Sequence, residues 1–343
     1  MPQDETTATE QRHRHREPPY QPRPEQMKLW PEISGNDING LGDRDARRPR
    51  VIFWRRPSES ITHGQVQEFF WSTARNPPVV DAAWERRLQT LALPMPDVAP
   101  RKTERTPGEW AELVKKAALD GEADDVGICA YKEEWTYDDR PVPKLKWAIV
   151  FAVSHDYDTL KKAPHETTYA EVIDQYTRSA RVSKHVTTWI RNQGWEAEAK
   201  TGPLAEDILM IPTAIAAGLG ELGKHGSMIH RKFGANFRLS VTLTDLPLVP
   251  DQPGVFGANL FCESCQVCVN ECPPDAIFPT RQWVRGEPKW YVDFDRCLPY
   301  FIENQTCGIC LAACPWSRPG VAQNLARKMA RRLKKVAGET EAG

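Results

Sequence analysis

The sequence lacks the marks of a membrane protein, a secreted protein or a nucleic-acid-binding protein. No apolar run approaches the roughly 20 residues that a membrane-spanning helix needs. Residues 1–26 are polar and proline-rich, with no apolar stretch behind the arginines, so neither a secretory nor a twin-arginine leader is expected. With 45 basic and 46 acidic residues, the formal net charge of −1 gives no general case for nucleic acid. We therefore expect a cytoplasmic protein with no membrane contact.

Cysteine is scarce outside one stretch, which holds eight of the nine cysteines. The two runs in that stretch read Cys262-x2-Cys265-x2-Cys268-x3-Cys272-Pro273 and Cys297-x9-Cys307-x2-Cys310-x3-Cys314-Pro315. The first run has the spacing of bacterial ferredoxins, in which three cysteines hold one [4Fe–4S] cluster and the fourth ligates the other. The second run is the same pattern with a longer first gap.

This spacing predicts two [4Fe–4S] clusters that exchange one ligand each. The ligands of the first cluster are expected to be Cys262, Cys265, Cys268 and Cys314. Those of the second are expected to be Cys272, Cys297, Cys307 and Cys310. Structural zinc is the alternative, although zinc sites more often use two separated cysteine pairs. Disulfides are not expected in a long chain without a secretory signal. Cys129, in an apolar run, should be a buried residue with no ligand role.

Composition and periodicity divide the chain into segments. Residues 1–50 are polar and proline-rich, which predicts an arm without its own core. Prolines interrupt residues 51–105 repeatedly, so we expect an irregular segment that wraps the core domain. Helical and strand patterns alternate in residues 106–255, and residues 256–316 contain the cysteine runs.

The last segment, residues 317–343, is predicted to be a basic amphipathic helix. Its apolar positions recur at helical spacing, at Val321, Leu325, Met329, Leu333 and Val336. Two interpretations stay open for its basic side. It is either a solvated face of a helix that packs on its own domain, or a docking patch for an acidic redox partner.

The middle segment reads as an α/β domain with layers around a sheet. Thr106 to Glu109 form a capping box at the start of a helix. Strand patterns occupy residues 126–131, 147–153 and 238–243, and the second is apolar throughout, as in a strand covered on both faces. A long helix is expected over residues 169–193.

Four groups of residues, taken together, resemble the cobalamin-dependent reductive dehalogenases. They are Ala214-Ile-Ala-Ala-Gly-Leu-Gly-Glu221, Phe233-Gly-Ala-Asn-Phe-Arg238-Leu239, Thr244-Asp245-Leu246-Pro247-Leu248 and the two cysteine runs. Epoxyqueuosine reductase is the related branch and shares the cysteine arrangement. The resemblance implies a nitroreductase-like α/β domain that binds base-off cobalamin, joined to a ferredoxin-like 2[4Fe–4S] domain.

The resemblance also implies site residues. Periodicity alone makes Tyr176 a core residue of the long helix, and Arg238 alone reads as a surface ion-pair partner. In the family, a tyrosine fourteen residues before an Ile-Arg pair donates the proton, and Tyr176 precedes Ile190-Arg191 by that spacing. Arg238 lies where its basic partner is expected. The related branch uses an aspartate, which makes Asp174 the alternative acid. Candidate backbone contacts with the corrin are Thr201, Gly202, Pro203, Leu204, Gly218 and Gly220.

The implied reaction replaces carbon–halogen by carbon–hydrogen on an organohalide, such as a halogenated aromatic. Cob(I)alamin would be supplied with electrons by the two clusters, and Tyr176 would supply the proton. No reductase domain follows the clusters, so an external ferredoxin, flavodoxin or reductase is expected as donor. No Asp-x-His-x-x-Gly motif is present, which agrees with a base-off cofactor; His225 and His230 remain alternative ligands. Two other functions stay open, an epoxyqueuosine-reductase-like enzyme acting on tRNA and a non-catalytic dicluster electron carrier. Outside the basic tail, no nucleic-acid contact is expected.

Overall fold

The structure, a computed structural model, describes residues 19–202 and 207–341, with side chains of the last helix only as far as residue 335. Of the described residues before the first strand, five stretches are α-helical: α1 (Pro24–Met27), α2 (Gly35–Asn39), α3 (Gly64–Ala74), α4 (Pro78–Ala92) and α5 (Pro107–Asp120). The middle of the chain forms β1 (Asp125–Ala130), β2 (Trp147–Ser154), α6 (Tyr157–Leu160), α7 (Glu166–Asn192), β3 (Ala197–Lys200), α8 (Met210–Ala216), β4 (Gly220–Leu222), β5 (Met228–His230) and β6 (Phe237–Thr244). The cysteine-rich part forms α9 (Ala258–Ser264), α10 (Val267–Glu271), β7 (Gln282–Val284), β8 (Glu287–Lys289), α11 (Phe294–Glu303) and α12 (Ile309–Ala313), and α13 (Val321–Glu341) follows. Over the described ranges, no helix combines the length and apolar character that crossing a membrane requires.

An antiparallel sheet in the order β1-β2-β6-β3 forms the centre of the α/β domain. Successive residues of β2 enter different cores: Ile149 and Phe151 pack with Val186 of α7, whereas Ala148 and Val150 pack with Ala214 of α8. This two-sided burial explains the uninterrupted apolar run of β2. The predicted mixture of helices and strands in layers is confirmed here.

The helix predictions are confirmed on either side of that sheet. Thr106 and Glu109 form the expected capping box at α5. The long helix α7 runs from Glu166 to Asn192, three residues earlier at its start than the pattern indicated. His165 causes the earlier start, because its side chain accepts a hydrogen bond from the backbone N–H of Thr167.

The prediction that residues 51–105 are irregular is wrong for residues 78–92, which form α4. Prolines in this segment favour an interruption of regular structure, but Pro78 is the first residue of α4. A proline fits that position because the first helical N–H has no partner inside the helix. Helix α4 packs along α7, where Trp84 Nε1 donates a 3.2 Å hydrogen bond to the hydroxyl of Tyr169.

The described part of the N-terminal arm covers the cysteine-rich unit. Tyr20 donates its hydroxyl hydrogen to Glu303 at 3.0 Å, and the backbone N–H of Gly35 donates to Asp295 at 2.9 Å. Both carboxylates are on α11. These polar contacts hold the described part of the arm to residues more than 250 positions later in the chain.

Candidate functional site

The ring of Tyr176, on α7, lies between two guanidinium groups. The central carbon of Arg238, from β6, is 5.1 Å from the ring centroid, and that of Arg87, from α4, is 5.5 Å from it. Both distances are within the range of a cation–π contact. The structure thus brings together the two predicted residues, Tyr176 and Arg238. Sequence reasoning missed Arg87, because the segment that carries it was taken to be irregular.

Arg238 is only partly satisfied by hydrogen bonds. Its Nη1 donates to the carbonyl oxygen of Phe237 at 2.9 Å, whereas its buried Nε has no hydrogen-bond partner within residues 19–202 and 207–341. Burial, with a smaller contribution from the Arg238 charge, lowers the pKa of the neighbouring His155 to about 4. His155 is therefore neutral near pH 7, and the two arginines provide the positive charge around Tyr176.

The turn that follows β3 reaches the same place. Arg87 Nη2 donates to the carbonyl oxygen of Thr201 at 3.5 Å. A Cβ added to Gly202, whose φ is +45°, would lie 3.7 Å from Cε1 of Tyr176 and 3.5 Å from Cε of Met210. The predicted residues Thr201 and Gly202 therefore border the Tyr176 site. The other two residues of that prediction, Pro203 and Leu204, lie outside the described residues.

Gly218 and Gly220 are not brought together with Tyr176. A Cβ added to Gly218 would lie 2.6 Å from the carbonyl oxygen of Gln252, and one added to Gly220 would lie 2.4 Å from that of Ile229. The close backbone approach that these glycines suggested is present, but the approaching backbone is the protein's own. This packing gives no support to their predicted contact with a corrin.

Glu221, the last residue of the same motif, has a role that the sequence did not show. Its buried carboxylate accepts hydrogen bonds from the backbone N–H groups of Phe256, Gly257, Ala258 and Asn259, at 2.5 to 3.3 Å. Those groups open α9, which carries Cys262. The motif therefore fixes the start of the cysteine-rich unit onto the α/β domain.

Asp174, the alternative acid, faces away from Tyr176. Its two carboxylate oxygens accept hydrogen bonds from Nε and Nη2 of Arg86, at 3.0 and 2.8 Å. Residues two apart in a helix point roughly 200° apart around its axis. Arg86 and Arg87 of α4 accordingly contact different residues of α7: Arg86 pairs with Asp174, whereas Arg87 and Arg238 lie over the ring of Tyr176.

The thiols of the first predicted ligand set line one cavity, formed by Cys262, Cys265, Cys268 and Cys314 together with Lys224 and His225. Burial raises the pKa of Cys262 to about 11 and that of Cys314 to about 12. Thiols in such surroundings become thiolates when a metal centre compensates their charge. The four cysteines therefore suit a positively charged inorganic core.

The second predicted set is also grouped. Burial raises the pKa of Cys297 to about 12, and the neighbouring Cys272 and Cys307 raise it further. Burial likewise raises the pKa of Cys310, with contributions from Cys297, Cys307 and Cys272. Cys129 lies apart from both groups, buried in the core, where its sulfur donates to the carbonyl oxygen of Thr213 at 3.5 Å.

An apolar cavity of about 350 Å³ adjoins the second cysteine group. Its lining includes Cys297, Phe301, Trp54 and Leu209. Leu209 is next to Met210, the residue that contacts Gly202 at the Tyr176 site. Aromatic and aliphatic walls of this kind are typical of cofactor sites, but neither Tyr176 nor Arg238 lines this cavity. Neither His225 nor His230 lines this cavity.

Comparison with known proteins agrees with this arrangement. The 4Fe-4S dicluster domain family matches residues 261–317. The chain is 30% identical over 270 residues to the tetrachloroethene reductive dehalogenase of Dehalobacter restrictus, covering 61% of this chain and 48% of that protein. It is 30% identical over 174 residues to the epoxyqueuosine reductase of a Synechococcus species, covering 46% of this chain and 48% of that protein.

A solved structure extends the similarity over more of the chain. A catabolic reductive dehalogenase in complex with 3-bromo-4-hydroxybenzoic acid superimposes with a TM-score of 0.72 at 22% identity, covering 89% of this chain and 47% of that one. The predicted resemblance to the reductive dehalogenases is therefore confirmed, and so is the mixed α/β fold joined to a 4Fe–4S dicluster domain. The chain spans about half the length of the curated dehalogenases it matches.

Proposed function

We propose that this chain catalyses reductive dehalogenation, in which an organohalide takes up two electrons and one proton and releases halide. The observation that carries the proposal is the position of Tyr176 between the guanidinium groups of Arg87 and Arg238. That arrangement lies in the fold of a reductive dehalogenase, next to a dicluster domain.

The cysteines and the Thr201–Gly202 turn would contact the redox groups. Cys262, Cys265, Cys268 and Cys314 would ligate one [4Fe–4S] cluster, and Cys272, Cys297, Cys307 and Cys310 the other. The Thr201–Gly202 turn beside Tyr176 would contact a base-off cobalamin, which when bound would supply the electrons at the carbon–halogen bond. An external ferredoxin, flavodoxin or reductase would provide those electrons.

Tyr176 would donate the proton that replaces the halogen. A phenol is a weak acid, so the phenolate left after transfer needs stabilisation. Arg87 and Arg238 would supply it, since their guanidinium groups lie 5.5 and 5.1 Å from the ring centroid and attract negative charge. His155 is neutral near pH 7 and does not share this role.

The same cations favour a substrate with an acidic group. Nε of Arg238 is buried without a hydrogen-bond partner in the described chain, and a buried donor left unpaired is unfavourable. A phenolate or carboxylate oxygen would pair with it. Among organohalides, we therefore propose halogenated phenols and hydroxybenzoates in preference to chlorinated ethenes.

The test is halide release by protein that has been loaded anaerobically with iron, sulfide and cobalamin, with reduced viologen as electron source. Tyr176→Phe should lower kcat at least about 100-fold, the usual contribution of a general acid. Tyr169→Phe is the matched control, because Tyr169 lies two turns earlier on α7 and contacts Trp84 instead; it should keep kcat within a few-fold of wild type. Unchanged halide release by Tyr176→Phe would exclude Tyr176 as the proton donor.

Measurements on the same loaded protein distinguish the alternative functions. Metal analysis should find about one cobalt and eight iron atoms per chain if two [4Fe–4S] clusters and one corrin are bound, whereas iron without cobalt would indicate an electron carrier. An enzyme acting on tRNA through Asp174 would lose turnover in Asp174→Asn and keep it in Tyr176→Phe. The ion pair of Asp174 with Arg86 argues against that outcome.

A further inference from the structure

We propose that the exposed face of α13 is the docking surface for a small acidic electron-transfer protein, which delivers electrons to the first cysteine group. The proposal rests on the cluster part of the proposed function and not on dehalogenation. The surface, called the basic face below, consists of Arg318, just before the helix, and of Arg327, Lys328, Arg331, Arg332, Lys334 and Lys335 on it.

The inner side of α13 packs against the first cysteine group. Ala322, Ala326 and Met329 are buried in the same core as Cys262 and Cys314. A Cβ added to Gly257, which precedes α9, would lie 2.7 Å from Cβ of Met329. The helix therefore packs against the elements that carry or adjoin Cys262 and Cys314.

The outer side of the helix carries charge of one sign. All seven residues of the basic face are exposed, and the sequence from Arg318 has no acid before Glu339. In the part of the chain that the structure describes, Arg327 contacts Asn324, and no ion pair with a carboxylate forms at Arg318, Lys328, Arg331, Arg332 or Lys334. Uncompensated charge of this kind attracts an acidic partner over distances of several ångströms and raises the association rate.

The packing also identifies the class of partner. An amphipathic helix that binds a membrane needs its apolar side free for lipid, but here Ala322, Ala326 and Met329 are already buried. Nucleic acid exchanges no electrons with a cluster, so the neighbouring cysteines give no reason for it to bind at this surface. An electron donor would gain a short path, because the helix packs against α9, which carries Cys262. One electron passes from the reduced donor, which is oxidised, to the cluster, which is reduced, and no bond or proton changes.

The experiment uses the cluster-loaded full chain and a small acidic [2Fe–2S] ferredoxin as the probe. The rate of reduction by reduced ferredoxin is followed by stopped-flow absorbance for wild type and for a variant with Arg327, Lys328, Arg331 and Arg332 changed to Gln. At low salt the variant should react at least about tenfold more slowly, and the wild-type rate should fall to the variant's value as salt screens the charges.

A matched variant controls for net charge. It carries Gln at four exposed basic positions of the other parts of the chain: Lys28, Arg101, Lys144 and Lys146. Its rate should stay within about twofold of wild type. An equal loss in both variants would overturn the proposal, because it would show an effect of net charge and not of this surface.

Binding of oxidised ferredoxin, measured as Kd at the same low salt, gives a readout that does not depend on electron transfer. It should weaken at least about tenfold in the α13 variant, and an unchanged Kd would overturn the proposal. Ferredoxin that stays bound while a tRNA stem-loop occupies the basic face would also overturn it. The reduction rate and the Kd can both be measured even if halide release fails, so the two proposals can fail separately. Wild-type protein without clusters would be recognised by its lack of iron and absorbance.

Discussion

Replacing Glu221 by Gln tests whether one buried carboxylate holds the cysteine-rich unit on the α/β domain. Oε1 accepts hydrogen bonds from the N–H groups of Phe256, Gly257 and Ala258, and Oε2 accepts one from Asn259. A Gln side chain has one oxygen that accepts and one NH2 group that only donates. The bond to Asn259 is therefore lost, and the other three become bonds to a neutral group.

The magnitude follows from the number of bonds. A hydrogen bond to a charged group contributes about 1.5–3 kcal/mol and a neutral one about 0.5–1.5 kcal/mol. Three weakened bonds and one lost bond lower the free energy of unfolding by about 6 kcal/mol. Unfolding entropy of about 2.1 cal/mol/K per residue over 343 residues converts this loss to a Tm about 8 °C lower.

The assay is thermal unfolding of the cluster-loaded protein, with iron content as a second measurement because α9 carries Cys262. Glu109→Gln is the control, since Glu109 caps α5 by the same chemistry at an exposed helix start; its effect on Tm should be smaller. If Glu221→Gln unfolds within about 1 °C of wild type and keeps its iron, the carboxylate does not hold the unit and the reasoning is refuted.

Three further predictions address charge. Burial lowers the folded-state pKa of His155 from 6.5 to about 4, so the unfolded chain binds more protons than the folded chain between those two pH values. The free energy of unfolding therefore falls as pH falls through that window, by about 3 kcal/mol at most. His155→Gln should lose this part of the acid sensitivity when Tm is measured from pH 7 to pH 4. Lys224, buried beside the first cysteine group, should raise the midpoint potential of that cluster. Lys224→Met should therefore lower the potential by at least 59 mV, which is a tenfold change in the ratio of oxidised to reduced cluster. The measurement is an EPR-monitored redox titration in which the second cluster is the internal reference. Asp174→Asn should leave kcat within a few-fold of wild type and lower stability by no more than about 1 kcal/mol, the usual limit for an exposed ion pair such as that with Arg86; a larger loss of kcat would make Asp174 the acid.

The parts of the fold that the sequence predicts well are those in which one period runs through a long element. Strand β2 is buried on both faces and has a continuous apolar run, whereas α7 is buried on one side and has an apolar stripe. Both patterns can be recognised in the local sequence. The sequence does not predict α4, because Pro77 and Pro78 favour an interruption of the helix, although a proline is common at the first helical position. Without α4, Arg87 could not be predicted as a site residue.

The resemblance predicted Tyr176 and Arg238, which lie together in the structure, but it did not explain the glycine motif. Gly218 and Gly220 suggested a bound ligand, because a missing side chain signals close approach without saying what approaches. Only the three-dimensional packing shows that the carbonyls of Gln252 and Ile229 fill that space. The role of Glu221 could not be predicted from the sequence for a related reason. Its partners are backbone N–H groups, which have no sequence signature.

The contact of the N-terminal arm with α11 has a consequence for how the protein is made. Tyr20 and Glu303 are 283 residues apart, so the ribosome completes nearly the whole described chain before the arm finds its partner. Contacts of such separation form late in folding. During synthesis the second group of cysteines is therefore left uncovered by the arm, and iron and sulfide can enter before the arm closes over the helix that carries Cys297.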